Sequence, residues 1–191
     1  MCVIRYPAYI GGIESLAGIS LDSSTRLTLS DGPLQLGWKH SGMTSDFIAE
    51  VMALRYSRSR KDYVQAHHDI GYLSNELIEN AVKFRQPGEI LIEAGIFDGT
   101  FLIRVKNTID GVTSSRFQQL LHRLQSRDPG ELLLEQIETN AISAESGSGL
   151  GLLTLLSNYD AKMAWAFEEN YDQRIILTTT AAVAMPPSSN L

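Results

Sequence analysis

Apolar residues follow two periods along the chain, and together these predict paired strands separated by helices. Period-two alternation around the turn dipeptides Asp31-Gly32 and Asp98-Gly99 predicts β-hairpins over 26–40 and 89–107. The same alternation predicts a last pair of strands at 162–169 and 173–183. Helical periodicity predicts helices over 45–54 (with Thr44 as N-cap), 66–84, 113–126, 129–139 and 152–159.

This order of elements predicts an α/β protein built as a two-layer sandwich. Strands joined as hairpins pair antiparallel, so we expect a mixed, mostly antiparallel sheet with the helices gathered on one face. A doubly wound parallel sheet would need strict alternation of strand and helix, which this sequence lacks. We interpret 1–191 as one domain that begins with a hairpin and a helix, and we predict a disordered tail at 184–191.

Composition and charge limit the classes of function. The 191 residues are 43% hydrophobic and 20% charged, as in an ordinary globular protein. A net charge of −6 argues against a duplex-binding surface, so no nucleic-acid partner is expected. The single cysteine, Cys2, fits a reducing compartment, and Arg5 and Pro7 interrupt an apolar run too short to span a membrane. A soluble, cytoplasmic protein is therefore expected.

The stretch "NELIENAVKF", residues 75–84, carries a line of polar residues beside the apolar face of its helix. Glu76, Asn80 and Lys83 are spaced i, i+4 and i+7, which places them within an arc of roughly 60°. An acid, an amide and a base aligned at the border of a core have two interpretations. They form either an ordinary solvated face or one wall of a pocket.

A glycine-rich stretch, "SGSGLGLLTLL", precedes the short apolar helix at 152–159. Gly147, Gly149 and Gly151 are spaced G-x-G-x-G, and such a loop offers bare backbone N–H groups beside a helix N-terminus, which suits phosphate oxygens. Turns that need a positive φ give the same pattern. Since no strand leads directly into the loop, it does not match the dinucleotide fingerprint, and the chain has no P-loop.

The two stretches in this order resemble the GHKL (histidine-kinase-like) ATPase superfamily. The resemblance covers about residues 65–180 and includes "ELIENAVK", a hairpin, a variable helical segment, and G-x-G-L-G-L before a helix and two strands. It leaves 1–64 as an N-terminal extension. Glu76 four residues before Asn80 is most similar to the anti-sigma-factor serine kinase branch, and "NELIENAVKF", "VKN" and "SGLGLLTLL" are most similar to the SiaB-like bacterial regulators. The resemblance implies a Bergerat-like sandwich that binds ATP with Mg²⁺.

The resemblance also implies roles for individual residues. Asn80 would be the ligand of Mg²⁺, Glu76 would orient or deprotonate the attacking hydroxyl, and Lys83 would neutralise phosphate charge. A lid would close its backbone over the phosphates. The lid residues are Gly147, Gly149, Leu150 and Gly151.

The chain departs from the family where the base of the nucleotide should bind. The family uses an aspartate at the end of the third strand, and Asn107 stands at that position in "RVKNTIDG". A neutral amide accepts a weaker hydrogen bond than a carboxylate, so we expect weak ATP binding and poor discrimination against GTP. If Asn107 does not face the base, Asp110 is the nearest alternative. The family's threonine of the last strand is expected near 173–174, where none is present.

Two functions are carried forward, and a third is kept as an alternative. The first is a kinase that phosphorylates a STAS-type antagonist protein on Ser or Thr in a bacterial partner-switching pathway, with ATP and ADP as its nucleotides. The second is a sequestering module, gated by nucleotide or independent of it, without phosphotransfer. The third is a detached histidine-kinase ATP domain. A second copy of the chain, forming a homodimer, is a further candidate partner.

Overall fold

The computed structural model describes residues 3–10, 25–30, 38–143, 150–169 and 174–187 of the chain. Within these ranges the chain forms six strands and five α-helices, with a 3-10 turn at Leu54–Tyr56. In chain order the strands and helices are β1 (Val3–Ile10), β2 (Thr25–Ser30), α1 (Trp38–Ala53), α2 (Arg60–Phe84), β3 (Glu89–Phe97), β4 (Thr100–Ile109), α3 (Gly111–Ser126), α4 (Pro129–Ser143), α5 (Leu150–Asn158), β5 (Lys162–Glu169) and β6 (Ile175–Ala184).

The strands form one sheet in the order β1-β5-β6-β4-β3-β2. Every pairing between the described strands is antiparallel, which confirms the prediction of a mostly antiparallel sheet. The β3–β4 hairpin turns at Asp98 and Gly99, whose φ values are 47° and 72°. Two consecutive positive φ values are what a two-residue hairpin turn requires, so the dipeptide that predicted this hairpin also explains it.

The long helix α2 packs on one face of the sheet and supplies much of the core. It begins because the Ser59 hydroxyl accepts a hydrogen bond from the backbone N–H of Asp62 at 3.3 Å. It ends at Phe84, where the next residue, Arg85, is extended. Pro87 follows closely, and a proline disfavours helical angles in the residue before it. Its buried residues recur at helical spacing, as expected for one apolar face. They include Ala66, Ile70, Leu73, Leu77, Ile78, Ala81 and Val82.

The sheet has a core face toward the helices and an outer face that carries charge. Along β3, Ile90, Ile92 and Ala94 belong to the core, whereas the intervening Glu93 points to the outer face. The two-layer α/β sandwich predicted from the order of elements is therefore confirmed. No helix in the described ranges combines the length and apolar character needed to cross a bilayer.

The predicted N-terminal hairpin over 26–40 is wrong at its end, because Trp38–His40 is the first turn of α1. Strand β2, which lies in the predicted first arm, pairs antiparallel with β3. The intervening part of the predicted hairpin, 31–37, lies outside the described residues. Thr44, predicted as an N-cap, instead lies inside α1, where its hydroxyl donates to the carbonyl oxygen of His40 at 2.7 Å.

Other boundaries also differ from the predictions. Strand β1 was not predicted. It pairs antiparallel with β5. In the predicted disordered tail 184–191, residues up to 187 are described, and 188–191 are outside the described ranges. Met185 is buried, and its N–H donates to the carbonyl of Gly99 at 2.8 Å, which attaches the end of β6 to the β3–β4 turn.

Candidate functional site

A cavity of about 470 Å³ lies between three helices and the core face of the sheet. Its helical walls come from α2, α3 and α5, and its floor comes from β4, β5 and β6. This volume is in the usual range for a small-molecule site. The cavity therefore has the size of a small-molecule site, and it is open to solvent on the side of Asn80, Lys83 and Arg116.

The α2 wall of the cavity contains the polar line predicted from the sequence. Glu76, Asn80 and Lys83 all line it, beside the buried Leu77 and Ala81. Because residues at i, i+4 and i+7 share one side of a helix, the burial of Leu77 and Ala81 turns the polar line toward the cavity edge. The stripe therefore borders a cavity, with Glu76 partly buried and Asn80 and Lys83 exposed.

The beginning of α5 faces this wall. Gly151 lines the cavity, and a Cβ atom built on it would overlap the Glu76 carboxylate. A side chain at this position would displace the Glu76 carboxylate from its present position, so glycine leaves the carboxylate its room beside α5. Leu150 is the first residue of α5 but does not line the cavity, and the other two predicted lid residues, Gly147 and Gly149, lie outside the described residues.

The floor of the cavity holds a buried amide. Asn107 is 4% exposed, and its Nδ2 atom has no hydrogen-bond partner within the part of the chain that the structure describes. Asn107 is opposite Leu177 in the β4–β6 pairing, and Leu177 and Thr179 line the cavity with it. Thr179 was not predicted, because the family's threonine was expected at the start of the last strand. In β6 the threonine that faces the cavity comes later.

The alternative candidate, Asp110, has a structural role. It is the N-cap of α3, and its side chain accepts hydrogen bonds from the backbone N–H of Thr113 at 2.7 Å and from Gln86 Nε2 at 3.0 Å. The bond from Thr113, followed by the smaller contribution of Gln86, lowers the pKa of Asp110. Asp110 does not line the cavity, so Asn107 is the residue of this pair that faces it.

Glu76 is partly withdrawn from water. Burial in the cavity wall raises the pKa of its carboxyl group, and the negative charge of the neighbouring Glu79 raises it further. Burial also raises the pKa of Tyr72, one helical turn before Glu76, and the charge of Glu76 adds to this effect. A carboxylate that holds its proton more tightly than a solvated one is better matched to proton transfer near neutral pH.

The α3 wall brings residues that sequence reasoning did not assign to a site. Arg116 lines the cavity, is exposed, and makes no hydrogen bond or ion pair with another described residue. Phe117 from the same helix meets Trp165 on the floor edge to face, with ring centroids 5.9 Å apart. The signal for α3 was only its moderate amphipathicity, which does not show what its apolar face contacts.

The charged side chains of the cavity are of both signs. Glu76 and Glu79 come from α2, Lys83 from the end of the same helix, and Arg116 from α3. The Lys83 ammonium lies 5.2 Å from the centre of the Phe84 ring. Two cations at the mouth suit an anionic ligand, whereas the carboxylates suit a proton or a metal ion carried by that ligand.

The histidines of α2 have partners outside the cavity. His67 Nε2 lies 3.3 Å from Glu50 Oε2 and His68 Nδ1 lies 3.2 Å from Asp69 Oδ1. The ring of His68 also stacks on Tyr159, with centroids 6.3 Å apart. Among the described residues no group of three or more His, Cys, Asp or Glu side chains forms a metal site.

Comparison with known proteins finds no match to a family model, a curated protein or a solved structure.

Proposed function

We propose that the protein binds Mg–ATP and transfers its terminal phosphoryl group to a Ser or Thr hydroxyl of a STAS-type partner, as a bacterial regulator of a partner-switching pathway. The observation that carries this proposal is the convergence of Glu76, Asn80, Lys83, Asn107 and Gly151 on one cavity. These residues come from three separate parts of the chain. The resemblance of the same motifs to the anti-sigma-factor serine kinases supplies the class of reaction and of partner.

The donor set fits a nucleotide-borne magnesium ion. Asn80 offers an amide oxygen at the exposed side of the cavity, and Mg²⁺ is usually held by one or two protein oxygens together with waters and substrate phosphates. Once bound, Mg–ATP supplies the activated phosphoryl group, and its metal ion offsets the phosphate charge. Lys83 and Arg116 reach the same mouth from α2 and α3, where they would hold the phosphate oxygens.

Glu76 is positioned to handle the proton of the transfer. In the step, the partner's hydroxyl oxygen forms a bond to the terminal phosphorus as the bond from phosphorus to the bridging oxygen of ADP breaks. The hydroxyl proton passes to a carboxylate oxygen of Glu76 and then to solvent, and ADP leaves. The raised pKa of Glu76 favours this acceptance of a proton. Gly151 leaves room for the carboxylate beside α5.

A second function has its own support in Asn107. An amide at the floor in place of the family's carboxylate contacts the base through neutral hydrogen bonds and without a charge-assisted one, which weakens the binding of ATP. A protein that binds nucleotide weakly suits a sequestering module, which holds its partner without phosphotransfer. The two functions differ in one observable, the appearance of phosphate on the partner.

Calorimetry with ATP and ADP, with and without Mg²⁺, tests the nucleotide site. Asn80→Ala should lower the affinity for Mg–ATP by about 10–100-fold, because the metal loses its protein ligand. Asn80 is exposed, so the variant should fold normally, and Asn158→Ala, an exposed asparagine at the end of α5, is the matched control. If the two variants bind Mg–ATP with equal affinity, Asn80 is not part of the site.

Incubation with labelled ATP and a STAS-domain partner tests the chemistry. Label on a Ser or Thr of the partner supports the kinase. A stable complex without label supports the sequestering module, and label on a histidine supports a detached histidine-kinase domain. The absence of nucleotide binding in the wild-type protein refutes the proposed function as a whole.

A further inference from the structure

The unpartnered amide of Asn107 limits what can bind at the floor of the cavity. Its Nδ2 atom is buried, and no described residue accepts a hydrogen bond from it. An unpaired buried donor destabilises a folded protein, so such groups in native structures call for a missing partner. Since Asn107 lines the cavity, a ligand atom is in a position to supply that acceptor.

The surroundings of Asn107 indicate which part of a ligand lies there. Six sheet residues line the cavity, and of these only Asn107 and Thr179 are polar within the described strands. The others form an apolar surface suited to a flat ring, and they are Val105, Met163, Trp165 and Leu177. The charged residues belong to the helical walls instead. A heterocyclic base on the floor would direct its phosphates toward the helices.

We propose that the Asn107 carboxamide pairs with the N1–C6 edge of a purine and that the site accepts both 6-amino and 6-oxo purine nucleotides. This inference rests on the proposed function, because it assumes that a nucleotide occupies the cavity. With adenine, Nδ2 donates to N1 and Oδ1 accepts from the 6-amino group. With a 6-oxopurine the amide turns over, so that Nδ2 donates to O6 and Oδ1 accepts from N1–H.

An aspartate could not make either pair in full. A carboxylate offers two acceptors and no donor, so it matches the 6-amino group but leaves N1 of adenine without a partner. It also places an acceptor against O6 of a 6-oxopurine. The donor on Asn107 is therefore the atom that extends the site to 6-oxopurines, and it makes N1 a point of direct contact with adenine.

Four triphosphates test this pairing in competition binding: ATP, ITP, 1-deaza-ATP and purine riboside triphosphate. 1-Deaza-ATP replaces N1 by C–H and would leave the buried Nδ2 unpaired, so its affinity should fall about tenfold below that of ATP. Purine riboside triphosphate lacks the 6-amino group but keeps N1, so its affinity should fall less than that of 1-deaza-ATP. ITP, which lacks the 2-amino group of guanine, should bind within about threefold of ATP.

Two variants assign these differences to Asn107. In Asn107→Asp the hydrogen-bond donor is lost, so the affinity for ITP should fall strongly relative to that for ATP. The preference for ATP over 1-deaza-ATP should shrink to about twofold or less. Thr178→Val is the matched control, because Thr178 neighbours Thr179 on β6 and its side chain points to the other face of the sheet. This control should keep the wild-type order of affinities.

The outcomes separate this inference from the proposed function. If no triphosphate binds, the proposed function fails. If ATP binds but 1-deaza-ATP binds equally well, or if ITP is rejected by the wild type, Asn107 does not pair with the purine edge and the inference is overturned. Should Asn107→Asp fold poorly, the comparison of the four ligands on the wild-type protein still decides.

Discussion

Two glutamates on opposite sides of the sheet, Glu93 on β3 and Glu76 on α2, meet very different surroundings. Glu93 on the outer face is 10% exposed at its side chain and accepts a hydrogen bond from Arg26 Nε at 2.9 Å, while Arg104 approaches its other oxygen at 3.4 Å. The pairing of β2, β3 and β4 places these three residues side by side. Glu76 in the cavity has no such cation within reach in the described structure, and its nearest charged neighbour on α2 is another carboxylate, Glu79.

The two carboxylates differ in whether an opposite charge compensates for their loss of water. On the outer face, strand register brings each buried charge an opposite partner, which compensates for its loss of water. Within the described residues the cavity cations Lys83 and Arg116 make no ion pair with Glu76, the carboxylate that the proposed function uses as proton acceptor. A folded protein tolerates such an uncompensated group where a function requires it.

The largest expected effect is on the rate of phosphotransfer. Glu76→Gln keeps the size of the side chain but cannot accept the hydroxyl proton, so the rate should fall by roughly 10²–10⁴, the usual contribution of a general base. Nucleotide affinity should change little. Single-turnover assays with labelled ATP and the STAS partner measure the rate, and calorimetry measures the affinity.

Glu138→Gln, an exposed glutamate on α4, is the control for this change and should keep the full rate. The wild-type rate should rise with pH as the Glu76 carboxyl group ionises, since only the carboxylate can accept the proton, and the Glu76→Gln rate should lack this limb. Transfer at the full rate in Glu76→Gln would mean that another group is the base.

The next effect concerns stability and the outer face. Glu93→Gln removes the charge that Arg26 and Arg104 share, so the free energy of unfolding should fall by about 1–3 kcal/mol, with the contribution of the more exposed Arg26 at the low end. Urea denaturation measures this change, and nucleotide affinity should be unaltered. The exposed Glu89 of the same strand is the matched control, and equal losses in Glu89→Gln and Glu93→Gln would contradict the comparison.

The sequence predicted best those elements whose signal is local. The β3–β4 hairpin, the end of α2 and the polar line from Glu76 to Lys83 each follow from periodicity or turn chemistry within a short stretch. Strand β1 and the pairing of β2 with β3 depend on contacts with distant residues, and no local pattern encodes these contacts.

The candidate site divides in the same way. The sequence predicted Glu76, Asn80 and Lys83, because their motif is short and carries distinct chemistry, and Asn107 was implied only by the resemblance. It did not predict the remaining contacts, because they depend on where α3 and β6 lie in three dimensions. Arg116, Phe117 and Thr179 are among these contacts.

A smaller effect is expected for Arg116, the cation of the α3 wall. Arg116→Gln should weaken ATP binding about fivefold, since an exposed guanidinium contributes on the order of 1 kcal/mol to holding phosphate oxygens. Adenosine affinity should not change, and the loss for ATP should shrink at high salt. Lys106→Gln, which removes a cation from the outer side of β4, is the control. A loss of adenosine affinity in Arg116→Gln would place this residue at the base instead.

The smallest effect is a pH-dependent gain in stability when the Glu76 charge is removed. The pKa of Glu76 is raised above its ordinary value of 4.5 by burial and then by Glu79, so the folded protein holds this proton more tightly than the unfolded chain. The stability that comes from the protonated carboxyl group is fully present below pH 4.5 and is lost as pH rises through the folded pKa. Glu76→Gln should therefore unfold at a higher temperature than wild type at neutral pH, and the difference should decrease toward pH 4. A variant that is less stable than wild type at neutral pH would show that the Glu76 carboxylate has a compensating partner.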